Sequence, residues 1–376
     1  MNKMHKQLWQ GCLYLCAAVL MTACVNAIPS SPADAPAASG PLTVLEWAGY
    51  DEPQYYQPFA ANHPDGDIEF AYLDQDSDAY AKMQSGFQID VVHPCSNWWG
   101  VWVQAGLVQP IDTTRLSNWS GISPKLAALG NFDGQQYFVP WEWGFDSILV
   151  RTDKIEKMPE SWGDLWDPAY AGRLSIADMP EVNHATAALA LGIKDPWQTT
   201  PEQNEAIKQK LIELKPNVLT YWTGSTELSQ LVASGDVWIA SNVWPDTYGT
   251  LLDEGVQVAY LEPKEGRLGW VCGYGISANA EHVDLAYEYL DALISPESMA
   301  QEANDFWYGA ANMDALPLID ESVVKLFELD DPTVLDRTIF YETMSEEQRA
   351  EVTEMWDEVK ARVGGLRPLS DFNSPF

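Results

Sequence analysis

Basic side chains are scarce in this sequence. Its 376 residues include 21 Lys plus Arg against 55 Asp plus Glu, a net charge of −34. Phosphate binding needs clustered Lys and Arg, so the composition argues against a nucleic-acid partner. It argues equally against docking on an anionic membrane through a basic face. A negative field favours the approach of cations, although an acid excess spread over a surface also serves solubility alone. Histidine is sparse as well. Of the five, His5 sits near the start and His63, His93, His184 and His282 are far apart. Neither a histidine zinc site nor a Ser-His-Asp triad has local support. The sequence also lacks GxxxxGK[ST], HExxH, GxSxG, CxxC and a Gly-rich dinucleotide fingerprint. Asp74, Asp76 and Asp78 hint at a calcium loop, but Ala79 stands where that loop needs Gly and Ser85 where it needs Glu. These acids read as a helix entry with Asp76 or Ser77 as N-cap. No catalytic residue, cofactor or metal site is expected.

Cysteine and long apolar runs are concentrated at the N-terminus. Lys3 and Lys6 precede an apolar segment, Leu13 to Met21, too short to span a bilayer comfortably. Met21-Thr22-Ala23-Cys24 follows and resembles a bacterial lipobox, with Met where Leu is commoner. Residues 1–23 are therefore expected to be a lipoprotein signal peptide and Cys24 the lipidated mature N-terminus. An ordinary secretory signal with an incidental Cys is the alternative. Residues 24–40, rich in Ala, Pro and Ser, read as a flexible tether. Losing residues 1–23 removes two lysines and no acid, taking the charge from −34 to −36. No later apolar run approaches the roughly 20 residues that cross a membrane. The expectation is an exported, membrane-anchored globule, periplasmic or at the cell surface.

The remaining composition, 46% hydrophobic and 20% charged, is that of a folded chain, and the length suggests two domains. Leu42–Trp47 is strand-like, Pro53–Asn62 can be a helix, and Asp67–Tyr72 is strand-like again. Asp78–Ser85 is helical, and Ile89–His93 is a short buried strand. This rhythm predicts a mostly parallel sheet with helices on both faces. Further strands are expected near Arg173–Ala177, Val218–Trp222, Asp236–Ser241, Val256–Leu261 and Trp270–Ser277. Helices are expected at Pro201–Leu214, Val283–Ile294 and Ser345–Val363, the last with Ser345 as a capped start. Residues 364–376 read as a loose tail.

Aromatic residues are abundant. Seventeen Trp exceed what a core of this size needs. They gather at strand ends and loop starts: Trp47 and Tyr50 follow the first strand, Trp98 and Trp99 follow Ile89–His93, the run Trp141-Glu142-Trp143-Gly144-Phe145-Asp146 sits mid-chain, and Trp244, Trp270, Trp307 and Tyr308 come later. Asp178 and Glu181 follow the strand near Arg173–Ala177. In open α/β sheets, ligands bind beyond the carboxyl ends of strands. A cation over a ring gains about 0.5–2 kcal/mol, and a carboxylate takes a charge-assisted hydrogen bond from an ammonium. The combination suits an amine or quaternary ammonium with a hydrocarbon stem, although for any single Trp a core role is the commoner one.

From about Leu42 to about Lys360 the sequence resembles the periplasmic substrate-binding proteins of bacterial ABC importers, specifically the spermidine/putrescine-binding group. Carrying segments are Leu42–Tyr50, Ala79–Val92, Gly106–Ser117, Val139–Gly144, Ser161–Gly172 (SWGDLWDPAYAG) and Glu262–Gly266 (EPKEG). The resemblance implies two α/β lobes joined by crossover strands, each lobe a mixed, mostly parallel sheet flanked by helices, with the ligand in the cleft between them. The first lobe would be 41–139 plus 272–318, the second 140–271 plus 319–363.

Carried over by position, the resemblance implies ligand contacts from Trp47, Tyr50, Asp178, Glu181, Trp270 and Tyr308. The family's Ser is Cys95 here, and its aromatic two positions later is Asn97, with Trp98 and Trp99 following. The cleft Trp before Asn242 becomes Ser241, with Trp244 nearby as a substitute. The acid two residues after Trp270 is Cys272, which puts a linear polyamine with two distant ammonium groups in doubt. Glu342, where the family has a ligand-reaching Gln, could restore that carboxylate. Cys95 and Cys272 both fall at cleft positions by resemblance, and a disulfide or two free thiols are open alternatives there. The implied partners are a small cationic amine and ABC permease subunits, and a monomer is expected. The alternatives are the same scaffold binding another small solute, quaternary ammonium or amino-acid-like, or an exported hydrolase using Asp178 and Glu181 as an acid/base pair.

Overall fold

The computed structural model describes residues 40–64, 67–331 and 333–362. The expected signal peptide, Cys24, nearly all of the tether and the 364–376 tail lie outside the described residues. Among those described, no helix is long and apolar enough to cross a membrane.

The main sheet is mixed. Its strand order is Ile68–Leu73, Leu42–Trp47, Val91–Val92, Leu268–Ser277, Phe138–Arg151, Ile239–Val243, Leu174–Ala177, Val218–Trp222. At one end, Leu42–Trp47 pairs in parallel with both Ile68–Leu73 and Val91–Val92. At the other end, Leu174–Ala177 pairs in parallel with Ile239–Val243 and Val218–Trp222. In the middle, Phe138–Arg151 and Leu268–Ser277 run antiparallel, with Trp270 opposite Gly144 and Cys272 opposite Glu142.

These two long strands serve more than one core. Phe138, Val139, Trp141, Trp143 and Phe145 pack with the first strands and the helices Val283–Leu293 and Pro296–Phe306. Ile148 and Val150 join a second core with Trp162, Leu211 and Trp356, and Leu149 joins a third with Trp222 and Val243. On the partner strand, Val271, Tyr274 and Ile276 face the first core and Leu268, Trp270 and Cys272 the second.

Local chemistry fixes several elements. Helix Pro201–Leu214 starts on a capping box in which Thr200 and Gln203 satisfy each other's backbone N–H. Helix Glu346–Ala361 starts the same way on Ser345 and Gln348. The expected helix over Pro53–Asn62 is a 3-10 turn, Pro53–Tyr56, followed by the helix Gln57–Asn62. Pro58 has no N–H to continue one helix through that point. Helix Asp76–Gln84 lacks the expected side-chain cap. Asp76 instead accepts the Cys95 backbone N–H at 3.0 Å, a longer-range use of the same carboxylate.

The Ser161–Gly172 segment has a structural task. Ser161 and Asp164 form a capping box. The Ser161 hydroxyl donates to Glu265 at 2.5 Å, and the Trp162 indole donates to the Gly266 carbonyl at 2.9 Å. The segment is thereby clamped onto the Glu262–Gly266 turn. Gly266 has φ 104°, which favours glycine there.

Candidate functional site

Leu42–Trp47 carries three site residues in a row: Glu46 within the strand, Trp47 at its end, and Tyr50 just beyond. Glu46 is fully buried. Its carboxylate takes His93 Nδ1 at 2.5 Å and the Tyr274 hydroxyl at 2.8 Å. Burial alone would lower the His93 pKa, but the Glu46 charge outweighs it and the pKa is raised. Trp47 donates its indole N–H to the His93 carbonyl at 2.8 Å. Tyr50 donates to Glu142 at 2.6 Å. Glu302 is also fully buried, and as a carboxylate it finds no donor among the described residues. Burial, followed by the nearby Glu142 charge, pushes its pKa well above the ordinary carboxylate value.

From Tyr50 an aromatic wall continues. Phe306 lies 4.6 Å from Tyr50 between ring centroids, Tyr308 follows at 6.1 Å from Phe306, and Trp270 stands edge-on to Tyr308 at 4.8 Å. Trp270 covers Gly144, where any Cβ would collide with the indole. Trp307 adopts φ 59° and lays its ring over Gly249, tying this turn to helix Pro245–Asp253. Burial, then the charges of Asp246, Glu142, Glu302 and Asp146, push the Tyr308 pKa well above its ordinary value.

Asn242 sits in the left-handed region at φ 57°, held by Thr186 and Asn183. The strand register shifts there, and Val243 pairs with Ser147. The bulge delivers Trp244 beside Trp222, 5.2 Å away, and leaves Asp246 in the first turn of the next helix.

Asp178 and Glu181 have partners from their own chain. Asp178 accepts the Trp356 indole N–H at 2.6 Å and the Lys360 ammonium at 2.8 Å. Glu181 pairs with Arg349 and accepts from Asn97 at 3.1 Å. The Arg349 guanidinium also lies 3.9 Å over the Trp98 ring. Arg349 and Lys360 both belong to helix Glu346–Ala361. A surface groove of about 810 Å³ runs along this helix past Tyr80 and Trp98, apart from Trp270 and Tyr308.

The structure thus gathers Tyr50, Tyr308 and Trp270 into one wall, with Trp47 behind it on His93. Trp98 and Glu181 meet through Arg349. Glu342 is exposed, beside buried Tyr341, whose N–H donates to the Gly269 carbonyl at 2.8 Å. Cys95 and Cys272, 177 residues apart, are joined by a disulfide at the centre of the molecule. Among the described residues, no His, Cys, Asp and Glu group could hold a metal ion. Asp146, Asp246 and Glu302 were absent from the sequence-based site. Of these, only Asp146 lay in a segment singled out from the sequence, the aromatic run that also holds Glu142.

A mixed sheet crossed by two long antiparallel strands, with rings and acids gathered at the crossing, defines the class of periplasmic solute-binding proteins. The chain belongs to the family of bacterial extracellular solute-binding proteins, whose model matches residues 54–326. It is 26% identical over 287 residues to the spermidine/putrescine-binding periplasmic protein of Escherichia coli, covering 75% of this chain and 80% of that one. It is 28% identical over 308 residues to the putrescine-binding periplasmic protein PotF of the same organism, with the same coverage. Its fold matches the spermidine/putrescine ABC transporter substrate-binding protein PotD of Streptococcus pneumoniae. That match has a TM-score of 0.74 and 19% identity, over 86% of this chain and 99% of that one.

Proposed function

We propose that this chain captures a small cationic amine between two lobes, 41–139 plus 272–318 and 140–271 plus 319–363, and delivers it to an ABC permease. The observation that carries the reading is the ring of acids, Asp246, Glu142, Glu302 and Asp146, that acts on Tyr308 beside the Trp270 wall. Rings beside acids that no Lys or Arg pairs with among the described residues favour a cation and select against an anion. The Escherichia coli relatives, named as spermidine/putrescine-binding and putrescine-binding proteins, support the same class. The role is capture and release without conversion. A lipid on Cys24 would keep the receptor at the membrane beside its permease.

The ligand carries one recognised ammonium rather than two far apart. Cys272 is bonded to Cys95, and Asp178 and Glu181 are held by Lys360 and Arg349. A thermal-shift screen with putrescine, spermidine, choline, betaine and amino acids tests this. A ligand at a hundredfold excess over Kd stabilises by about 2.7 kcal/mol. No stabilisation by any cationic amine would refute the proposal.

A further inference from the structure

Asp146 is fully buried on the Phe138–Arg151 strand. Neither carboxylate oxygen receives a hydrogen bond of ordinary geometry among the described residues. The Trp244 indole leans towards it and eases the charge in part, while burial drives its pKa well upward. A fully buried carboxylate without a donor is costly, and folds retain such groups where function uses them.

Its position is specific. Asp146 lies two residues beyond Gly144, so both face the same side of the strand. Trp270 covers Gly144, and Tyr308 stands edge-on to Trp270. From the other side, Tyr260 donates to the carbonyls of Phe145 and Val243, at 2.9 and 2.7 Å, which fixes the backbone on either side of Asp146 and Trp244. Asp146 therefore sits among Trp244, Trp270 and Tyr308, three rings expected to wall the ligand. Asp178 presents the opposite case. Lys360 already contacts both of its oxygens, at 2.8 and 3.2 Å. Glu181 is likewise held by Arg349. A carboxylate neutralised by its own chain offers an incoming ammonium little unless that internal pair first breaks.

We infer that Asp146 is the carboxylate that anchors the ligand's ammonium group, and that Asp178 and Glu181 instead secure the Glu346–Ala361 helix. This rests on the amine-binding reading above. The ligand nitrogen sits against the Asp146 carboxylate, with Trp244, Trp270 and Tyr308 around it. A primary amine donates to the carboxylate, and a quaternary ammonium relies on charge and ring faces alone.

The test titrates wild type, Asp146→Asn and Asp178→Asn with putrescine, spermidine, choline and betaine, and melts each unliganded protein. The expected result is roughly tenfold or greater weakening of the best probe by Asp146→Asn, the scale of a lost hydrogen bond to a charged group. Asp178→Asn should leave that affinity within about threefold. Unliganded Asp146→Asn should melt at or above the wild-type temperature, because a buried carboxyl group that lacks a donor has been removed. Wild-type binding that survives Asp146→Asn, or that Asp178→Asn abolishes, overturns this inference and leaves the amine reading standing. Wild type that binds none of the four probes overturns both. An Asp146→Asn protein that fails to fold or melts lower would show that the carboxylate serves structure, and would also overturn it.

Discussion

Lys360 Nζ lies 2.8 Å from Asp178 Oδ1, joining positions 182 residues apart. The contact fastens the Glu346–Ala361 helix to the end of the Leu174–Ala177 strand, with Trp356 donating to the same oxygen. Burial alone would raise the Asp178 pKa, but the hydrogen bonds from Lys360 and Trp356 outweigh it and hold it below its ordinary value. A carboxylate with a depressed folded pKa adds stability above its unfolded pKa and loses it as pH falls through the folded value. Asp178→Asn should therefore cost about 1 kcal/mol at neutral pH, reduced by the solvent that reaches the pair. Below the ordinary carboxylate value of 3.8 the gap to wild type should close. Denaturant melts at pH 7 and pH 3 check this. A gap that persists or widens in acid would contradict the assignment.

Gly144→Ala should disturb the wall without touching any charge. The added methyl collides with the Trp270 indole, which must swing away from Tyr308. Overpacking of this kind costs about 1–3 kcal/mol. Urea melts and ligand titration of the variant should both show loss. Unchanged affinity would mean that the Trp270 position does not matter to the ligand.

The Cys95–Cys272 bond closes a loop of very long separation at the centre of the molecule. Its removal by reduction or by paired Ser substitutions should cost about 2–4 kcal/mol. The protein beginning at Val25, which lacks Cys12, Cys16 and Cys24, should show no titratable thiol when unfolded without reductant. Two thiols would refute the bond.

Ser161→Ala should weaken the clamp on the Glu262–Gly266 turn. It removes a helix cap and the hydroxyl bond to Glu265, worth about 1–2 kcal/mol together. Ligand affinity should be unchanged, since the clamp lies away from the Trp270 wall. A large affinity loss with unaltered stability would place this segment in the site.

Much of the fold was legible wherever one period or cap dominated. Val218–Trp222 and Pro201–Leu214 fall where patterning put them, and the last helix starts on the Ser345 cap that its sequence shows. The longest strand, Phe138–Arg151, was not legible. It is buried over almost its whole length, so it shows no alternation, and its Trp and Gly residues read as a loop rich in rings. Helix Pro180–Ala190 escaped for a related reason, since its Ala-rich middle is buried all round and presents no stripe. Among the rings of the site, Trp47 and Tyr50 were legible from their place after the first strand, whereas Trp270, inside a strand, and Tyr308, after a helix, were legible only through the resemblance. Asp146 stood in the aromatic run, but nothing marked it as a ligand group until the strand Phe138–Arg151 buried it near Trp244. The occupants of Asp178 and Glu181 come from a helix near the far end of the chain, beyond the reach of local patterning.

Isothermal titration of the mature protein against putrescine, spermidine, choline and betaine, with the ligand recovered afterwards and weighed by mass spectrometry, tests the central claim most directly. The account predicts saturable one-site binding of a cationic amine that is returned chemically unchanged. Absence of heat with every amine, or recovery of a converted product, would contradict it.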